Sequence, residues 1–226
     1  VIFGLTNLGF KMDDYRRHLV NFLNEKGYET VLSGVQHEFH NKEVIAYKKV
    51  INDLHSEKKN IFNTNWDELD TTSALKAAEY IKNNRDKKFF LSVGMLNTHR
   101  VFPPHGEEVN PNYVMPPFPM PDMRETREDM AAFIKSAMIV DKCVGIVLDA
   151  VKEAGIEDET VIFFTTDHGI AFPRMKCHLY DTGTGVSLIM MCPGNRRKGK
   201  AVDALVSHID IFPTLCDYLG LEKPEW

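Results

Sequence analysis

The sequence predicts an α/β architecture, a three-layer αβα sandwich on a mostly parallel sheet, and three observations predict it. Apolar runs of strand length alternate with stretches of helical periodicity. Runs such as "FFLSVGM" and "VSLIMMC" are almost continuously apolar, the pattern of strands covered on both faces. Three strand-like runs also stop at polar residues: "VLSGVQH" at His37, "LSVGMLNTH" at His99 and "IFFTTDH" at Asp167 and His168. In open parallel sheets ligands bind beyond the carboxyl ends of the strands, so chemistry is expected there.

The first predicted helix covers residues 13–26, with Asp13 as N-cap and Gly27 as the stop. Its Tyr15, Leu19, Phe22 and Leu23 recur at helical spacing and mark one buried face. A strand over 28–32 follows, then a helix over 72–83 and a strand over 89–95. Residues 101–121 hold seven of the eleven prolines and read as an extended excursion. Thr126 with Asp129 reads as a capping box opening the longest helix, which runs to about Glu153 and stops at Gly155. Strands over 160–166 and 186–192 and a helix over 209–219 complete the series. No repeat or low-complexity linker divides the chain, which is read as one domain.

Composition narrows the function. The 226 residues are 43% hydrophobic and 26% charged, with a formal net charge of -5, as in ordinary globular proteins. Mild acidity argues against a nucleic-acid partner; the basic run Arg196-Arg197-Lys198 and Lys200 reads as a solvated loop. Cys143, Cys177, Cys192 and Cys216 form no CxxC pair, which argues against a disulfide framework or thiolate zinc site. Unpaired cysteines tilt the expected compartment toward the cytoplasm. No apolar run is long enough for a membrane span.

Asp167 offers a hard oxygen ligand suited to Ca²⁺, Mg²⁺ or Mn²⁺, and His168 would also serve Mn²⁺ or Zn²⁺. Both can reach one ion only if the chain turns, as Gly169 permits. On composition alone the same residues read first as a turn in which Asp167 caps the next segment. Lys176 would place a cation beside a bound anion, or be a solvated lysine. His37 and His99 could be hydrogen-bonded structural residues; together with Asp-His at a strand end they suit an anionic ester. His18, His40, His55, His105, His178 and His208 have no comparable setting. There is no Gly-rich phosphate loop, GxSxG elbow, HExxH or convincing nucleophile, so about half of a site is in view.

In order along the chain, "LVNFLNEKGYETVLSGVQHE", "NTHRVFPP", "IVDKCVGIVLDAVKEAGIEDETVIFFTTDHG", "MKCHLYDTGTGVSLIMMCPG" and "VSHIDIFPTLCDYLGL" resemble the sulfatase branch of the alkaline phosphatase superfamily. The first forty residues lean toward heparan N-sulfatase-like bacterial members. The resemblance implies an alkaline phosphatase-like fold and Asp167 and His168 as ligands of a divalent ion, usually calcium. It further implies Lys176 and His99 as sulfate contacts and His37 as an aid to the nucleophile. The implied substrate is a sulfated small molecule or sugar. Val35 stands where the family often has lysine, and Val101 where proline is frequent. The family's paired aspartates and its Cys/Ser-x-Pro-x-Arg motif, source of formylglycine, are expected upstream of Val1. A C-terminal subdomain is expected after Trp226. The chain is thus expected to be the central part of a sulfatase-type catalytic domain, incomplete at both ends and inactive alone. The rival readings are a phosphodiesterase, phosphonate hydrolase or phosphotransferase of the same superfamily, or a non-catalytic member that binds anions, which Val35 favours most.

Overall fold

A computed structural model of the chain describes residues 12–37, 46–54, 65–195 and 199–225. His40, His55 and the basic run 196–198 lie outside these residues.

The chain enters through a 3₁₀ turn, Tyr15–Arg17, and helix α1, Leu19–Glu25. The single helix expected over 13–26 is broken at His18, which is extended (φ -75°, ψ 137°). The reason is side-chain capping. Asp14, rather than Asp13, accepts from the backbone N–H and guanidinium of Arg16, while Nδ1 of His18 accepts from the N–H of Val20 at 3.3 Å. Each cap starts its own short turn.

Strand β1, Glu29–Gly34, is the centre of a three-stranded parallel sheet. It is flanked by β2, Lys49–Asp53, and β3, Phe89–Gly94. Helix α2, Trp66–Asn83, connects β2 to β3; Asn65 caps it by accepting from the N–H of Asp67 at 3.1 Å. α2 therefore starts earlier than its periodicity suggested. The long helix α3, Arg124–Glu153, follows the proline-rich excursion, and β4, Ile162–Thr165, follows α3. A four-residue helix α4, Asp181–Thr184, leads to β5, Leu188–Met191, and α5, Ile211–Leu219, ends on Gly220 in the left-handed region. β4 and β5 pair antiparallel, apart from the parallel sheet, and β5 departs from the expected two-sided burial, since Ile189 and Met190 are exposed.

Alternation along β3 builds the layers. Phe89 and Leu91 face one side, packing on Ala78 and Ile81 of α2 and on Ala150, Val151 and Ala154 at the end of α3. Phe90 faces the other side, against Phe22 and Leu23 of α1 and Cys216 of α5. Small residues at the α2–α3 contact let the two helices close over the sheet. Ile162 of β4 joins the same α2–α3 cluster, so one helical layer covers both sheets. Burying a side chain such as Ile81 contributes roughly 2 kcal/mol.

At the carboxyl ends of β1 and β3 the backbones converge. Gly34 has φ +97°, and a Cβ there would stand 2.0 Å from the carbonyl oxygen of Gly94. Both strands thus leave the sheet through glycine, side by side, into the segments bearing His37 and His99. All four cysteines are free thiols: Cys143, Cys192 and Cys216 are buried, and Cys177 is exposed. Among the described residues, no helix is long and apolar enough to cross a membrane.

Candidate active site at the strand ends

The segment after β3 is held from beneath by a buried carboxylate. Asp70 of α2 is fully buried and accepts from the N–H of Leu96 at 2.8 Å, and from the N–H and side-chain amide of Asn97, both at 2.9 Å. Burial pushes its carboxyl above the usual range, against the pull of those donors. The side-chain oxygen of Asn97 accepts in turn from Ser136 Oγ of α3 at 2.7 Å. One network therefore ties α2 and α3 to the turn that presents His99.

His99 itself is exposed. Its ring meets that of Trp66, the first residue of α2, edge-on at 6.0 Å, and its Nδ1 contacts the carbonyl oxygen of Arg100. Arg100 turns the other way. Its Nε donates to the carbonyl of Ala171 at 2.8 Å, and its terminal nitrogens grip the carboxylate of Asp129 at 2.8 and 2.5 Å. The guanidinium lies over the rings of Phe102, at 4.5 Å, and Phe172, at 5.1 Å. Asp129, expected in a capping box, is thus spent on Arg100. Thr126 caps α3 with Met123 instead, accepting from its N–H at 3.2 Å.

Ala171 belongs to the loop that follows Asp167 and His168 beyond β4. Asp167 projects into solvent, its side chain 86% exposed, with Oδ2 3.3 Å from Nε2 of His168. His168 Nδ1 lies 2.7 Å from the carbonyl oxygen of Gly169, which can only accept, so Nδ1 carries the proton. In the neutral ring Nε2 then presents a lone pair to a carboxylate oxygen. Two acceptors this close are favourable only with a cation between or beside them, either a proton or a metal ion. Ligands at about 2.3 Å on adjacent corners of an octahedron would be about 3.3 Å apart, so the pair matches one edge of a hard cation's shell. Among the described residues, no three His, Cys, Asp or Glu side chains gather closely enough to hold a metal ion. The donor set fits two ligand positions and leaves the remainder to groups beyond these residues.

Lys176 returns to this loop through its backbone N–H, which donates to the carbonyl of Ile170 at 3.1 Å. The preceding Met175 is buried with Phe102 and Phe172 in the cluster beneath. Gly169 seals the loop: its N–H donates to the carbonyl of Gly183 at 2.9 Å, and a Cβ on it would sit 1.9 Å from the carbonyl oxygen of Thr182.

The structure therefore brings the segments carrying His99, Asp167, His168 and Lys176 to one end of the molecule, through Arg100 and the Phe102–Phe172–Met175 cluster. His37 leaves the end of the adjacent strand β1 and is exposed. Val35, where a lysine is frequent, is anchored by its backbone to Gly94 at 3.1 Å. Sequence reasoning missed Asp70, Asn97, Ser136, Arg100 and Asp129. Only the run of polar residues "NTHR", two residues beyond β3, hinted that its neighbours needed partners.

The human N-sulphoglucosamine sulphohydrolase is 28% identical over 181 residues, 69% of this chain and 36% of its own length. An ulvan-active sulfatase of Formosa agariphila is 32% identical over 111 residues, 49% of this chain and 18% of its own length. The chain thus spans about a third or less of these relatives. Among solved structures, the yidJ protein of Bacteroides fragilis superposes with a TM-score of 0.71 at 17% identity, over 95% of this chain and 58% of that one. The phosphonate monoester hydrolase of Agrobacterium radiobacter superposes with a TM-score of 0.62 at 19% identity, over 96% and 59%. These likenesses establish the alkaline phosphatase-like α/β fold. The model of the sulfatase family matches residues 7–221, nearly the whole chain, and the protein belongs to that family.

Proposed function

We propose that the polypeptide carrying this chain hydrolyses sulfate esters or N-sulfo groups of a small molecule or sugar, with a divalent cation, calcium foremost, held in part by Asp167 and His168. Magnesium or manganese would meet the same donors. The observation that carries the metal reading is the close approach of Asp167 Oδ2 and His168 Nε2, 3.3 Å apart. The bound ion would draw in the sulfate oxygens and stabilise the charge that grows on them.

The chain's own groups supply the rest. The Lys176 ammonium offsets anionic charge on the substrate, and His99, exposed and steadied by Trp66, protonates or orients the leaving oxygen or nitrogen. His37, at the end of the neighbouring strand, assists the nucleophile. By family resemblance the nucleophile would be a formylglycine, and the cation would take its remaining ligands from other residues of the polypeptide.

The test is an assay of the full-length protein against an aryl sulfate, an N-sulfated glucosamine, an aryl phosphodiester and an aryl phosphonate, with and without chelator. Release of sulfate that chelator abolishes supports the reading. Preferential turnover of the phosphorus esters moves the protein to phosphoryl transfer. Tight calcium binding without turnover of any of them makes it an anion-binding member of the family.

A further inference from the structure

We infer that Arg100 is a positioning residue that fixes the His99 segment against the loop bearing Asp167, His168 and Lys176. The inference rests on the proposed function for its catalytic meaning, though not for its structural content.

Arg100 has five N–H donors, and its hydrogen bonds already commit its Nε and both terminal nitrogens to Ala171 and Asp129. Its charge is matched by the Asp129 carboxylate, and its plane rests on Phe102 and Phe172. A guanidinium engaged in this way is not an anion receptor, although it stands next to His99. Its partners instead belong to three separate segments: Phe102 lies two residues beyond it on the β3 exit, Asp129 on α3, and Ala171 and Phe172 on the β4 exit.

The two sheets give such a clamp a role. β3 belongs to the parallel sheet and β4 to the antiparallel pair, so no described strand ladder sets the distance between their exits. The α2–α3 layer spans both sheets, and at the exits themselves Phe102, Phe172 and Met175 form one buried cluster on whose Phe102 and Phe172 rings the Arg100 guanidinium rests. The pair is only partly exposed, at 41% for Arg100 and 35% for Asp129. Forked geometry at carboxylate, carbonyl and two rings requires a guanidinium, and a lysine ammonium cannot reproduce it.

The experiment has two readouts on the full-length protein. Backbone hydrogen exchange of residues 167–176 is compared between wild type, Arg100→Gln, Asp129→Asn and the double variant. Exchange is expected to rise at least tenfold in each single variant, with α2 unaffected, and the double variant to add little. In parallel, kcat on the best substrate is expected to fall at least tenfold with KM within about threefold, with Arg100→Lys failing to restore it. Addition of methylguanidinium to Arg100→Gly should recover part of kcat. Unchanged exchange in 167–176, or full activity in Arg100→Lys, overturns the inference. Should the Gln variant fail to fold, Arg100→Lys carries both readouts. If the wild type hydrolyses no sulfate ester, the function proposed above fails, while the exchange result still decides the role of Arg100.

Discussion

The carboxylate of Asp70 receives two hydrogen bonds from Asn97, one from its backbone and one from its side chain, both at 2.9 Å. With the N–H of Leu96 this makes a buried carboxyl group that accepts from three donors, 26 and 27 residues away along the chain. Asp70→Asn would turn an NH2 donor toward donors and leave at least one buried N–H unpaired. The expected cost is about 2–4 kcal/mol of stability, read as a lower midpoint in urea unfolding. Asp70→Ala should cost at least as much, and a midpoint unchanged in both would show that the network does not hold the turn.

Gly169 has no room for a side chain, since a Cβ would lie 1.9 Å from the carbonyl oxygen of Thr182. The obstruction is backbone, so the loop itself must move. Gly169→Ala is expected to cost roughly 2–3 kcal/mol and to displace His168, the preceding residue. Calcium titration calorimetry on the full-length variant should then show affinity weakened at least tenfold.

Burial lowers the pKa of His18 to about 4. The unfolded chain, near 6.5, then binds a proton that the folded chain refuses, so stability rises with pH between about 4 and 6.5 and is lost on acidification through that window. Asp70, raised by burial, acts in the opposite sense within the carboxylate range. Denaturant unfolding between pH 7 and 5 isolates the histidine. The slope should approach 1.4 kcal/mol per pH unit, about one proton, and flatten in His18→Asn, which keeps an acceptor to cap α1.

What could be read from the sequence was local. "FFLSVGM" located β3 to within a residue, because a continuous apolar run bounded by lysines and a polar exit has few other readings. Asp167 and His168 stood out for the same reason. β2 went unseen because Lys49 and Val50 are exposed at the sheet edge, and "KVIND" carries little apolar signal. The break at His18 is a capping event that periodicity does not register. The clamp and the buried network escaped because their partners are distant: Arg100 meets Asp129 across 29 residues and Ala171 across 71, and no spacing rule spans such gaps. Asp129 shows the hazard, since a local motif claimed a residue that tertiary structure uses elsewhere.

The central claim is that a cation held by Asp167 and His168 drives hydrolysis, and Asp167→Ala in the full-length protein tests it most directly. The side chain is 86% exposed, so the substitution should leave folding intact. Calcium titration calorimetry and sulfate release would be measured together on wild type and variant. The account predicts loss of calcium binding and at least a thousandfold loss of turnover, with the unfolding midpoint of the metal-free protein unchanged. Turnover that survives the substitution would contradict it.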